Sequence, residues 1–161
     1  MPNLKSTLEI KGLHFKNRLV LPPIATDTCS EGRPTEKTYE NYRTYTNSEV
    51  GTVIVEHSYI DLRGRFSSGQ MAIDNDDYRQ ERNQLAEVIH TQDTITGMQI
   101  THAGSGTKHV LIGSVPLAPS AVEHPTSGEM PQEMSLKEIK AIVAMFVDAA
   151  LRVKSAGFDF V

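Results

Sequence analysis

Residues 97–120 read GMQITHAGSGTKHVLIGSVPLAPS, and this stretch governs how the rest of the chain is interpreted. It begins as a short apolar run with a polar residue, Gln99, in its middle, where a barrel strand points inward. It continues as a loop that contains glycines and histidines and closes on Pro-Leu-Ala-Pro-Ser. The loop is too long for a simple connector, and long loops in compact domains usually carry function. We therefore predict that this region builds part of a binding site.

Short apolar strands alternate with helical patterns on both sides of this stretch. A small hairpin is predicted over residues 8–15, and strands over 18–21 (RLVL), 52–56 (TVIVE), 98–101 and from 158 onward. Helices are predicted from about 35, over about 77–92 and over 135–156, with loops at 24–34, 61–76 and 102–134. This alternation indicates a parallel sheet with helical crossovers, so the fold class is α/β. A doubly wound sheet and a (β/α)8 barrel both fit the pattern.

The predicted helices have recognisable ends. Asp77 with Gln80, and Ser135 with Glu138, have the spacing of a capping box, and Gly157 stands where a helix C-terminus favours glycine. The first helix carries tyrosines at helical spacing, which we interpret as a half-buried face (Tyr39, Tyr42, Tyr45). The last helix carries an apolar stripe that predicts its core face (Leu136, Ile139, Ile142, Val143, Phe146, Ala149, Ala150, Val153).

The composition is that of a globular protein and excludes several classes. The 161 residues carry a net charge of −4, and no basic stripe is present, which argues against nucleic acid as a partner. No segment approaches the roughly 20 apolar residues that span a bilayer, which argues against a membrane partner. The single cysteine, Cys29, allows no internal disulfide and suits a reducing compartment, so we predict a cytoplasmic protein.

Polar residues follow the predicted strands at their carboxyl ends, where ligands bind in both candidate architectures. These ends are residues 23–26, the pair Glu56 and His57, and residues 99–102. The amide of Gln99 offers one acceptor and two donors, which suits a heterocycle with mixed N–H and C=O edges, such as a flavin or a nucleobase. The alternative is a buried amide satisfied by the backbone.

Other patterns are weaker. Gly104 and Gly106 follow a strand but lack the third glycine and the helix of a dinucleotide-binding fingerprint. Cys29 has no evident base beside it and is interpreted as a small buried hydrophobe. Three histidines, His102, His109 and His124, share the long loop, but no pair has the helical spacing of a metalloprotease, so no metal site is predicted.

Five segments resemble the Old Yellow Enzyme family of NADH:flavin oxidoreductases, in the family's order along essentially the whole chain: residues 16–23, 50–56, 99–104, 116–120 and 149–161. The resemblance implies an FMN-containing (β/α)8 TIM barrel. The chain would then be an incomplete barrel, with the hairpin, roughly the first three βα units and the start of the fourth strand. Residues 1–161 are thus expected to be the N-terminal part of one FMN-binding domain, truncated inside the fourth strand.

The resemblance also implies roles for single residues. Pro23, Ile24 and Ala25 would lie against the flavin ring through their backbone, and Gln99 would hydrogen-bond its pyrimidine part. His57 would lie near the flavin, and two threonines are expected on the substrate side (Thr26, Thr101).

Three positions depart from the family's pattern. Ala25 stands where relatives often have a Thr or Cys that touches the flavin, and His57 where many have Gly or Ala. Ser105 replaces an Arg that commonly follows the His-x-Gly segment.

Family members pass a hydride from NAD(P)H to FMN and then to an activated alkene or another acceptor. In the family, the substrate-anchoring pair, a tyrosine proton donor and the FMN phosphate site follow the region matched here. The resemblance therefore assigns no catalytic residue to this chain, and we expect the chain alone to be inactive. Exposed sheet edges further predict self-association or pairing with a missing C-terminal half.

Two other hypotheses stay open. One is a non-catalytic half-barrel module that needs a partner chain. The other is a metal-dependent barrel enzyme that uses the loop histidines.

Overall fold

A parallel sheet forms the centre of the computed structural model, which describes residues 1–161. The strands are β1 (Leu8–Ile10), β2 (Leu13–Phe15), β3 (Val20–Leu21), β4 (Thr52–Tyr59), β5 (Met71–Ala72), β6 (Ile95–Thr101), β7 (Leu117–Ala118) and β8 (Gln132–Glu133). The helices are α1 (Glu36–Thr46), α2 (Arg79–His90), α3 (His109–Ile112) and α4 (Leu136–Ser155).

The longer pairings of the central sheet follow the chain order, and the short strand β5 pairs with the end of β4 on the same side as β3. Strand β3 pairs with the start of β4, β4 pairs with β6, and the chain returns after α4 so that Phe160 lies beside Gly97 of β6. Every one of these pairings is parallel. The sheet does not close on itself, so the molecule is a partial α/β structure in which one strand follows the next around an open arc.

Strands β1 and β2 form the predicted hairpin, which lies outside the central sheet. Its two-residue turn places Lys11 and Gly12 at φ +49° and +84°. Two consecutive left-handed residues are typical of the turn that suits the twist of a hairpin, and the glycine adopts this conformation without steric cost.

The core lies between the sheet and the helices. Val53 and Val55 of β4 and Met98 of β6 contact apolar residues of α1, α2 and α4. Tyr39 and Tyr42 of α1 are buried, which confirms that the tyrosine face packs inward. None of the helices combines the length and the apolar character that crossing a membrane requires.

Several predicted boundaries are wrong for identifiable reasons. Strand β4 continues to Tyr59 because β5, inside the predicted glycine-rich loop, pairs with its end. The capping box at Asp77 does not form. Instead, the side chain of Asn75 accepts the Asp77 N–H at 2.8 Å, and α2 begins two residues later, at Arg79. Strand β6 begins before Gly97, at Ile95, which pairs with Thr52.

Helix α4 has both of its predicted ends, but only part of its predicted apolar face packs against the core. Ser135 Oγ accepts from the Glu138 N–H, and a Glu138 carboxylate oxygen accepts from the Ser135 N–H at 2.7 Å. Gly157 follows the helix at φ +88°, as expected for its C-terminus. Only one side of the predicted stripe meets the core, through Ile142, Phe146, Ala149 and Val153. Three other members of the stripe are exposed (Leu136, Ile139, Val143), so the predicted apolar face is only partly covered.

Candidate functional site

The predicted site residues meet at the carboxyl edge of the sheet, around an irregularity in the pairing of β4 and β6. Val55 pairs with Met98 and Ser58 pairs with Ile100, so two residues of β4, Glu56 and His57, stand opposite the single residue Gln99. This arrangement is a β-bulge, a feature that is common beside active sites because it redirects side chains.

Gln99 lies on the open face of β6, opposite to the core-facing Met98. Its side chain is exposed, and no protein group hydrogen-bonds its amide. The alternative interpretation, a buried amide satisfied by the backbone, is therefore wrong. The amide keeps two donors and one acceptor free for a ligand.

A buried glutamine, Gln70, holds His57 in place. The Gln70 Oε1 accepts the backbone N–H of Phe66 at 2.6 Å, which directs its amide nitrogen toward the imidazole. That nitrogen lies 3.2 Å from His57 Nδ1, 3.2 Å from the His57 carbonyl oxygen and 3.4 Å from Thr101 Oγ1. Because Nδ1 faces a donor, the neutral ring carries its proton on Nε2 and offers that N–H as a donor. Gln70 thus joins two predicted site residues, His57 and Thr101.

Residues 23–26 leave the sheet after β3 and are fixed to β4 by one residue, Glu56. Pro22 and Pro23 end the strand because proline donates no ladder hydrogen bond. Ile24 and Ala25 are exposed, whereas Thr26 binds Glu56 through its N–H at 2.9 Å and its hydroxyl at 2.6 Å. The segment therefore presents an apolar surface at the same edge as the Gln99 amide.

The loop histidines do not form a metal centre. His102 Nδ1 accepts the Gly104 N–H at 3.1 Å, and its ring lies so close to Gly64 that a Cβ there would fall 2.4 Å from the imidazole. Burial lowers the pKa of His102, because it disfavours the charged form of the ring. No group of three or more His, Cys, Asp or Glu side chains is placed to hold a metal ion. The structure therefore does not support the metal-dependent alternative.

Cys29 is buried, as the sequence interpretation predicted. Burial and the nearby Glu56 raise the pKa of its thiol to about 12. A thiol in this state is not a nucleophile at neutral pH.

Sequence reasoning missed Gln70 at this edge, and it placed Glu56 at a strand end without assigning it a role. Gln70 lies within a glycine-rich loop and carries no sequence signal, because its role depends on how that loop folds back over β4. Glu56 ends an apolar run, where a charged residue in a buried strand is a visible anomaly.

Comparisons with known proteins agree with the fold. A family model described as the NADH:flavin oxidoreductase / NADH oxidase family matches residues 4–161. An NADH oxidase of Thermoanaerobacter brockii is 37% identical over 161 residues, which are 98% of this chain and 25% of that protein. An NADPH dehydrogenase of Geobacillus thermodenitrificans is 32% identical over 160 residues, which are 98% of this chain and 46% of that protein. The chain thus spans less than half the length of either relative.

Among solved structures, an old yellow enzyme homologue from Zymomonas mobilis superposes with a TM-score of 0.90 at 23% identity. The match covers 98% of this chain and 47% of that one. Since this structure and the other Old Yellow Enzyme neighbours are TIM barrels, the open arc of strands corresponds to part of a barrel and not to a doubly wound sheet.

Proposed function

The chain belongs to the NADH:flavin oxidoreductase / NADH oxidase family, and from this membership we propose that it forms the flavin-ring-binding part of an FMN-dependent NAD(P)H oxidoreductase. The observation that carries the proposal is the exposed amide of Gln99, free of protein hydrogen bonds and opposite the bulge at Glu56 and His57. An amide left free on a sheet face beside apolar residues fits a flat heterocycle with a polar edge.

The residues at this edge suit the flavin ring. In the proposal, residues 23–25 (Pro23, Ile24, Ala25) pack against the ring, and Gln99 hydrogen-bonds its pyrimidine part. His57 adds one N–H donor, held by Gln70. Thr26 and Thr101 lie at the same edge and face the substrate side in this proposal. When bound, FMN supplies the hydride chemistry between NAD(P)H and an activated alkene or another acceptor.

The activity of a whole protein is a separate part of the proposal. We propose that this chain by itself binds the ring but does not oxidise NAD(P)H faster than free FMN does. This part rests on the family pattern, in which the phosphate site and the proton donor lie outside the matched region. Cytoplasmic localisation stays a prediction from the cysteine content.

Nuclear magnetic resonance of the labelled chain tests ring binding. We expect FMN to shift the side-chain amide signals of Gln99, and riboflavin to shift them equally, because the proposed contacts involve only the ring. Gln99→Leu should weaken binding of both compounds about 2- to 10-fold, since a neutral hydrogen bond contributes about that factor. Gln84→Leu makes the same change at an exposed position of α2 and should leave the affinity unchanged. Absence of any Gln99 shift with both compounds would overturn the proposal.

An exposed apolar face favours a second proposal, that the chain is a half-barrel module which functions with a partner. Val143, Val147 and Leu151 lie along one side of α4 with more than half of each side chain's surface exposed. Such a face on a helix that flanks an open sheet favours association. The partner is either a second copy or a separate C-terminal half.

Sedimentation velocity over a concentration series distinguishes these partners. Self-association should appear as a concentration-dependent mass that Val147→Lys reduces, whereas Lys137→Ala, a change on an exposed charge of the same helix, should not reduce it. A monomer at all concentrations would exclude the second copy.

A further inference from the structure

Glu56 is a completely buried acidic residue without an ion-pair partner. A buried charge is costly unless hydrogen bonds compensate it. Here Thr26 supplies two of them, through its N–H at 2.9 Å and its hydroxyl at 2.6 Å, one to each carboxylate oxygen. Tyr42 OH lies 3.5 Å from the same oxygen as the Thr26 hydroxyl. Thr26 therefore supplies most of the hydrogen bonding to the Glu56 carboxylate, and that carboxylate accepts both the N–H and the hydroxyl of Thr26.

Further hydroxyl groups extend this contact to the first helix. Thr26 Oγ1 lies 2.8 Å from Thr28 Oγ1, which lies 3.0 Å from Thr38 Oγ1. Because the Thr26 hydroxyl donates to Glu56, Thr26 Oγ1 is free to accept from Thr28, and Thr38 Oγ1 also lies 3.3 Å from the Thr28 carbonyl oxygen. The Thr35 N–H in turn donates to Thr38 Oγ1 at 3.0 Å. These hydroxyl groups connect the contact between Glu56 and Thr26 to the N-terminus of α1, whose dipole favours negative charge.

We propose that Glu56 is a positioning residue for the flavin site: it fixes residues 23–26 in the place where they support the ring. This inference rests on the proposed function for its link to flavin. The geometry supports it because residues 23–26 have no other strand partner, and the only side chain of β4 that hydrogen-bonds them is Glu56. Glu56 lies in the bulge opposite Gln99, so its contact with Thr26 is formed beside that residue. The bulge thus places residues 23–26 and Gln99 at the same site.

Substitutions at Glu56 separate positioning from simple stability. Glu56→Gln keeps one acceptor for the Thr26 N–H and one donor for the Thr26 hydroxyl, so it should preserve the contact. Glu56→Asp keeps the charge but is too short to meet both groups of Thr26, and Glu56→Leu removes both acceptors. The matched control is Tyr42→Phe, which removes another contact of Glu56 but leaves the contact with Thr26 intact.

Amide hydrogen exchange of Thr26, compared with that of Val55 in the sheet, is the readout without flavin. We expect Glu56→Asp and Glu56→Leu to speed exchange at Thr26 about 10-fold or more relative to Val55, which is the protection that a hydrogen bond to a charged acceptor provides. Glu56→Gln and Tyr42→Phe should change the exchange rates of the Thr26 and Val55 amides by the same factor. If Glu56→Leu does not fold, Glu56→Asp decides, because its shorter side chain keeps a carboxylate that can still accept from one of the two Thr26 groups.

Riboflavin affinity, measured by the Gln99 shift, supplies the second readout. We expect Glu56→Asp to bind riboflavin about 10-fold more weakly, and Glu56→Gln to bind it as the unaltered chain does. Equal exchange at Thr26 and Val55 in Glu56→Asp would overturn the positioning role. Faster exchange at Thr26 with unchanged riboflavin affinity would overturn its link to the flavin site. Failure of the unaltered chain to bind riboflavin would instead refute the proposed function, while the exchange measurement would still decide whether Glu56 fixes the segment.

Discussion

Removing the hydroxyl of Tyr42 should destabilise the chain more than removing that of Tyr39, although both tyrosines lie on α1 and both are buried. Tyr42 OH accepts the backbone N–H of Glu56 at 2.9 Å, inside the bulge where the sheet ladder offers no alternative partner. Tyr39 OH donates to the carbonyl oxygen of Glu81 at 3.1 Å. That carbonyl lies in α2, where the helix supplies it with another donor.

The two substitutions therefore differ in what they leave behind. Tyr42→Phe leaves a buried N–H without an acceptor, which costs about 1–3 kcal/mol. Tyr39→Phe loses one hydrogen bond but strands no donor, which costs about 0.5–1.5 kcal/mol. For a chain of this length, the thermal midpoint should fall by about 2–4 °C for each kcal/mol.

Urea unfolding at neutral pH, followed by far-ultraviolet circular dichroism, measures both free energies of unfolding. The slope of the free energy of unfolding against urea concentration should be the same in both variants, because neither change alters the surface exposed on unfolding. The reasoning is refuted if Tyr39→Phe costs as much as Tyr42→Phe or more.

Three further predictions concern other parts of the chain. Ser135→Ala should lower the thermal midpoint by about 2–4 °C. Hydrogen bonds from Ser135 lower the pKa of the Glu138 carboxyl group. The stabilisation from these hydrogen bonds is therefore fully present above the ordinary pKa of glutamate and is lost as the pH falls through the lowered pKa. Gly69→Ala should cost about 1–3 kcal/mol by urea unfolding, because its Cβ would fall 2.2 Å from the Asp27 carbonyl oxygen. Cys29, whose thiol pKa burial raises to about 12, should react with a disulfide reagent far more slowly in the native chain than in denaturant.

Each of these predictions has a control or a contradicting result. Ser135→Ala should lose only part of its effect in strongly acidic buffer, because the contact of Ser135 Oγ with the Glu138 carboxylate weakens while its contact with the Glu138 N–H remains. An equal loss of stability at acidic and neutral pH would contradict the role of the carboxylate. Gly106→Ala serves as the control for Gly69→Ala, because its Cβ would meet only His124 Nε2, at 3.9 Å. Equal reaction rates of Cys29 in the folded and unfolded chain would show that the thiol is accessible.

Local sequence predicted the elements whose signals lie within a few residues. The apolar run TVIVE predicted a buried strand, and Ser135 with Glu138 predicted the start of α4, because both signals act through neighbouring backbone groups. The same reasoning failed at Asp77, where the Asn75 side chain captured the backbone N–H that the capping box requires. It also failed for β5, a two-residue strand that exists only because β4 extends far enough to pair with it.

The sequence by itself determined the alternation of strands and helices, the polar position of Gln99 within an apolar strand and the family to which the chain belongs. These properties follow from side-chain periodicity and from residue types at fixed spacing. The tertiary structure alone decided that Glu56 and His57 share a bulge opposite Gln99, and that Gln70 joins His57 to Thr101. It also decided that Glu56 fixes Thr26. Those contacts join residues between 13 and 43 positions apart. The register of strand pairing and the closure of loops bring these residues together, and no local sequence pattern encodes either of them.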